Sequence, residues 1–227
     1  MKMKRIICIT LFAVCLIGLL IFTVTIISSG KLNKYTTTVR APKAEDVNYP
    51  YVQQEACFLF DPNNKEMMSG YSDYITVIYV EKKEGTIYQN VREDEGQIRG
   101  TPYTVYSAKV LENMKGNLTK TENIKLYQYG GVSIDEKEIV YITPLLDAGK
   151  CYVLYSGVAN DQNLYVNLAY EMSELNNESD FDRVLSAPEN GELLKQCMDA
   201  YRNEDLSYAS DKKYVTPYDV DSIAVAE

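Results

Sequence analysis

Glu136 and Glu138, and Asp180 and Asp182, each set two carboxylates one residue apart, the residue type that acid–base hydrolysis uses in pairs. The chain carries 32 acidic residues, so such pairs arise by chance and a solvated face is the expected reading. Cysteine is the other candidate nucleophile. Cys151 follows Lys150, a cation able to lower a thiol pKa, while Tyr152, Val153 and Leu154 after it point to sheet interior. The chain has no histidine, which removes Ser-His-Asp and Cys-His catalysis in their usual forms and the histidine-bearing zinc sites. No G-x-S-x-G, S-x-x-K or G-x-x-x-x-G-K-[ST] motif is present. "DPNNKE" from Asp61 offers oxygens at the first and third positions of a calcium loop but lacks its glycine at six and glutamate at twelve. The expectation is therefore no catalytic residue, no metal and no cofactor. A non-catalytic binding module leads; a cell-surface enzyme using a cysteine or a carboxylate pair is the alternative.

Binding chemistry rests on tyrosine. All 20 tyrosines lie after residue 34, and tryptophan is absent. Tyrosine is rigid and amphipathic and stacks on sugars or protein surfaces. It also fills half-buried sheet positions, which is the competing explanation. Tyr127 and Tyr129 share one strand face and are the first ligand-binding candidates. Lys115, at the end of "YTVYSAKVLENMKG", is the third, against the plainer reading that Lys115-Gly116 is only a turn.

The partners follow from charge and from the N-terminus. The net charge is −9; residues 1–30 carry +3, so −9 − 3 leaves −12 on the rest. That surface repels phosphate backbones, and no nucleic acid partner is expected. Ile6 to Ile27 is a 22-residue run without charge, long enough at 1.5 Å per residue to cross a bilayer as one helix. Residues 1–30 are read as an uncleaved membrane anchor, with "SSG" at 28–30 leaving a cleaved signal as the alternative. Lys2, Lys4 and Arg5 precede the run and Lys31 and Lys34 follow it, so the charge bias is small. The expected location is the cell membrane, single-pass, with the C-terminal domain outside the cytoplasm. Its partner there is an unspecified cell-surface protein or glycan. Of Cys57, Cys151 and Cys197, either all are buried thiols or two form a bridge.

Residues 31–48 lack apolar periodicity and read as a stalk, 49–203 as a β domain and 204–227 as a loose acidic tail. Within the domain, "DYITVIYV" is apolar on both faces and is expected to be a strand covered on both sides. "GTIYQNV" is expected to pair back on it as a hairpin, and "REDEGQIRG" to be a polar loop. Gly130-Gly131 should end the strand "IKLYQYGG". "EIVYITPLL", "CYVLYSGV" and "LYVNLAY" supply further strands. Leu193, Leu194, Cys197, Met198 and Tyr201 recur at helical spacing after Pro188 and predict a helix with one apolar face against the sheet.

The order of "DYITVIYV", "YTVYSAKVLENMKGNL", "IKLYQYGG" and "LLDAGKCYVLY" resembles the netrin-like domains of OB-barrel type, which include tissue inhibitors of metalloproteinases and many bacterial surface proteins. The resemblance covers residues 73–156. It implies a mainly β fold, an antiparallel OB-like barrel with a C-terminal helix, here preceded by one N-terminal transmembrane helix. It carries no single function, because OB barrels host many activities. The animal inhibitors chelate protease zinc with the amine and carbonyl of an N-terminal cysteine. Here no cysteine follows the apolar run until Cys57. Protease inhibition is accordingly the weakest of the readings.

Overall fold

The computed structural model describes residues 38–56, 60–159, 163–172 and 181–209. Its centre is β2 (Tyr74–Asp94), β3 (Gln97–Lys115), β4 (Asn123–Val132), β6 (Cys151–Val158) and β7 (Leu164–Glu171). The ladders run β4-β3-β2-β6-β7, and a parallel pairing of Leu126 with Leu164 and Tyr127 with Tyr165 joins β4 to β7. The result is a closed five-stranded barrel. Two short strands, β1 (Tyr51–Gln53) and β5 (Ile139–Tyr141), extend the sheet beyond β4.

The double apolar alternation of β2 has the expected consequence. Tyr74, Ile78 and Val80 face the barrel interior with Tyr106, Leu126, Leu154 and Leu164. Ile75 and Val77 face outward into a second core with Val153, Tyr155, Met68 and Cys197. That second core is covered by α1 (Lys65–Tyr71) and α3 (Pro188–Arg202), with α2 (Phe181–Ser186) leading into α3. Asn64 accepts hydrogen bonds from the amides of Glu66 and Met67 at 3.0 Å and so caps α1, which gives the "DPNNKE" turn a structural use. Pro188 occupies the first turn of α3, where its missing N–H costs nothing. Cys197 is fully buried, and Leu193, Leu194 and Tyr201 pack beside it.

Several local expectations are corrected. "GTIYQNV" does not fold back on "DYITVIYV"; both belong to β2, 21 residues long, and both pair with β3. Register shifts, including one between Lys83 and Gly85, bend β2 so that a single strand serves both the barrel and its extension. "REDEGQIRG" is not a loop but the tip of that ladder. Only Glu95 and Gly96 turn, both at positive φ (50° and 75°), the geometry of a two-residue hairpin turn that keeps the strand twist. Gly130 and Gly131 do not end β4 either. They sit inside it at φ 113° and 134°, where β5 approaches: a Cβ on Gly130 would lie 2.6 Å from the Val140 carbonyl oxygen. "EIVYITPLL" contributes only three residues of strand. The chain then crosses one barrel end, where buried Gln128 donates to the Pro144 carbonyl at 2.9 Å and accepts from the Leu146 amide at 3.0 Å.

The described part of the expected stalk, 38–48, lies against the barrel. Arg40 exchanges backbone hydrogen bonds with Thr86 at 2.8 and 2.9 Å. Its guanidinium, 11% exposed, donates to Asp46 at 2.7 and 2.8 Å and to Glu136 at 3.1 Å. Hydrogen bonds from Arg40 hold the Asp46 carboxyl below the ordinary carboxylate range, and hydrogen bonds from Arg40 and then Lys43 do the same for Glu136. A depressed carboxyl contributes stability that is full above its unfolded pKa and lost as pH falls through its folded one. Arg40→Met should therefore cost about 2 kcal/mol near neutral pH, and the gap from the parent should close in acid, below about pH 4. Thermal melts of both chains across pH check this; a gap that stays constant into acid contradicts it. The start of the expected acidic tail is likewise engaged: the Asp205 amide donates to the Glu66 carbonyl at 3.1 Å, and Tyr208 packs on Phe60. The apolar run at 6–27, Cys57 and residues 210–227 lie outside the described residues.

Candidate binding face

Alternation along β4 buries Ile124, Leu126 and Gln128 and turns Lys125, Tyr127 and Tyr129 outward. The same rule turns Tyr103 of β3 outward. The parallel closure sets Tyr165 of β7 directly opposite Tyr127. Four half-buried tyrosines thus meet on one outer surface. Tyr103 stands edge-on to Tyr129 (centroids 5.8 Å apart, planes at 83°) and to Tyr165 (5.4 Å, 81°), and Tyr127 lies tilted on Tyr165 (5.5 Å, 34°). These are the arrangements the ring quadrupole favours, so each ring is held by its neighbours before any ligand arrives. The hydroxyls are held too: the Gln89 amide donates to Tyr165, and Tyr129 donates to the side-chain oxygen of Gln54.

Tyr165 also lines a cleft of about 210 Å3 with Tyr71, Asp73, Gly157 and Asn167. One carboxylate oxygen of Asp73 accepts from the Val158 amide at 2.8 Å, and the Asn167 amide donates to the Ser72 hydroxyl at 3.0 Å. The face therefore offers aromatic surface, and next to it a carboxylate and an amide already oriented by backbone and hydroxyl contacts. That combination suits a polyhydroxylated ligand, whose apolar faces stack while its hydroxyls hydrogen-bond.

The structure brings Tyr127 and Tyr129 together and leaves Lys115 elsewhere. Lys115 is ten residues along β3 from Val105, the ladder partner of Tyr127, or roughly 30 Å of strand. Its ammonium donates to the Ser69 carbonyl at 2.8 Å and to Glu204 at 2.5 Å, and lies 5.5 Å from the centre of the Tyr201 ring. It clips α1 and the end of α3 to the barrel. Gly116 follows at φ 90°, and a Cβ there would lie 2.2 Å from the Tyr74 ring. The Lys-Gly ending is a clip followed by an obligatory left-handed turn.

The candidate nucleophiles are placed as follows. Cys151 and Cys197 are free thiols, both fully buried. Burial pushes the Cys151 thiol up to about 12 and the Cys197 thiol up as well. Lys150 does not lower the pKa of Cys151: its ammonium bonds Glu171 at 2.8 Å and Asp147 at 3.2 Å on the surface. Glu136 is bound by Arg40 and Lys43, Asp182 is exposed on α2, and Asp180 lies outside the described residues. Among the described residues no group of three or more acidic or cysteine side chains is placed to hold a metal ion. No family model matches this chain, and no curated protein matches it. The residues that sequence reasoning missed are Tyr103, Tyr165, Gln89, Asp73 and Asn167. The outward phase of Tyr103 was readable from its strand; its proximity to Tyr129 was not.

Proposed function

We propose that this chain is a membrane-anchored, extracytoplasmic binding protein whose barrel is of the netrin-like OB type, and that the four-tyrosine face with its adjoining cleft takes a glycan. The observation that carries the reading is the position of the face. Counted in order, the second and third barrel strands are β3 and β4, the surface on which OB barrels take oligosaccharides and oligonucleotides. The net charge of −9 favours the sugar over the nucleic acid. Burial of Cys151 and Cys197 weighs against thiol catalysis. The 22-residue apolar run is the support for the anchor, and an anchored barrel outside the cytoplasm would meet surface glycans.

The test uses the detergent-solubilised full chain and a panel of neutral and acidic oligosaccharides, read by calorimetry. At least one should bind, and Tyr103→Ala or Asn167→Ala should weaken it by about tenfold, or 1.4 kcal/mol. Absence of binding across the panel, or affinity unmoved by both substitutions, rejects the glycan reading. Protease added to intact cells or protoplasts should digest the domain. Protection there with digestion after lysis rejects the orientation.

A further inference from the structure

A second cleft, on the N-terminal side of the barrel, is lined by a lysine that has no ion-pair partner among the described residues. Its volume is about 190 Å3, and it lies between the 40–51 segment and the strand extension. Its walls are largely apolar: Val47 and Tyr51 at the lip, 82% and 64% exposed, and Ile139 on the barrel side. Three cations line it: Arg40, Lys43 and Lys83.

Two of those cations are already balanced. Asp46 accepts from Arg40 at 2.7 and 2.8 Å and from the Lys43 backbone amide at 2.9 Å. Glu136 accepts from Arg40 at 3.1 Å and from the Lys43 ammonium at 2.6 Å. Glu45 adds a third carboxylate 3.8 Å from the Lys43 ammonium, so Arg40 and Lys43 are both countered. Lys83 remains. It pairs in the ladder with Tyr106, whose ring fills the barrel interior, so the lysine side chain leaves β2 at the barrel rim, between two register shifts. It is half-buried, and its ammonium makes no hydrogen bond or ion pair with any described residue. Asp147 and Asp46 act on it only at longer range. Burial holds its ammonium below the ordinary lysine range, as removal from water without a partner requires.

We propose that this cleft binds a carboxylate carried on a short apolar group, with the Lys83 ammonium as its counter-ion and Val47, Tyr51 and Ile139 as its apolar walls. The volume corresponds to about six waters of liquid, which suits an acid group of a few heavy atoms. Lysine supplies three donors on a point charge, enough for a single carboxylate. The same chemistry is presented by a free short-chain acid and by the terminal carboxylate of a peptide ending in a small apolar residue. The inference is independent of the tyrosine face, which lies on other residues.

The test is a titration of the full-length chain in detergent micelles, followed by the backbone amide signals of Gly85, Thr86 and Ile139. The probes are isobutyrate, isobutyramide, and a hexapeptide ending in valine with a free or an amidated terminus. Isobutyrate should shift these signals saturably and isobutyramide should not. Saturation by the free-terminus peptide and not its amide identifies a chain end as the tighter source; saturation by isobutyrate alone identifies a small acid. Lys83→Met should weaken the acid at least tenfold, or 1.4 kcal/mol, while Lys120→Met on the outer surface should leave it within about twofold. Lys83→Met should also melt no lower than the parent, because it removes an unpaired, partly buried charge. Equal binding of acid and amide, no saturable shift with any probe, or undiminished binding by Lys83→Met overturns the proposal. A melting temperature well below the parent's does so too, by showing that Lys83 has a structural partner.

Discussion

In the folded chain at neutral pH, Cys151 should react with a thiol reagent on the order of a thousand times more slowly than free cysteine. The reactive species is the thiolate, and an unperturbed thiol titrates near about 8.5. Burial raises Cys151 to about 12, which lowers its thiolate fraction by roughly three powers of ten. The thiol is also fully enclosed, between β6 and the helices, so the reagent has no path without local opening. Cys197 should be slow for the same reason, burial being the largest cause of its raised pKa. Digestion and mass spectrometry after timed labelling resolve each site, and both should label quickly once the chain is unfolded. Rapid labelling of Cys151 in the folded chain, faster than free cysteine, would contradict this and would move the functional assignment to a cell-surface enzyme.

Cys197→Asp should destabilise the domain by several kcal/mol, a large share of the roughly 5–15 kcal/mol that holds a domain folded. Cys197 is fully buried on the face of α3 that packs against Val153, Tyr155 and Met68, and Lys65, the cation whose charge reaches it, has its ammonium over the Tyr170 ring, 5.0 Å from the centre. The neighbouring substitution Gln196→Asp is the control. Gln196 is exposed, and a carboxylate there meets Glu192 one turn back and Asp199 three residues on, each worth a few tenths of a kcal/mol. Denaturant titration should separate the two by more than about 3 kcal/mol. Equal stabilities would mean that α3 does not cover the barrel and that the outward core is assembled otherwise.

The two results would test a part of the fold that was legible in local pattern. Side-chain alternation is a property of consecutive residues, so "DYITVIYV" announced a strand buried on both faces, and the structure gives each face its own core. The spacing of Leu193, Leu194, Cys197, Met198 and Tyr201 announced an amphipathic helix by the same logic, although Met198 is half-buried and not part of that core. Tyr127 and Tyr129 were legible as a pair because i and i+2 on one strand must share a face.

What the tertiary structure alone decided are pairings between residues distant in sequence. The length of β2 was not readable, because Gly85 looks like a turn residue and acts instead within a bulged strand, where a Cβ would lie 2.1 Å from the Arg40 carbonyl oxygen. The segment around Arg40 read as a stalk because it lacks apolar periodicity. It is held by ion pairs and two backbone hydrogen bonds, which leave no periodic trace. Lys115 read as a ligand-binding candidate or as part of a turn because Ser69 and Glu204, its partners, arrive from α1 and from beyond α3. Tyr103 and Tyr165 joined the aromatic face only through the register of β3 on β4 and the parallel closure of β4 on β7. By itself the sequence determined which side of each element is apolar, since that depends on neighbours one to four residues away. Barrel closure decided which outward side chains meet, since that depends on register, and register is set by the packing of the whole core.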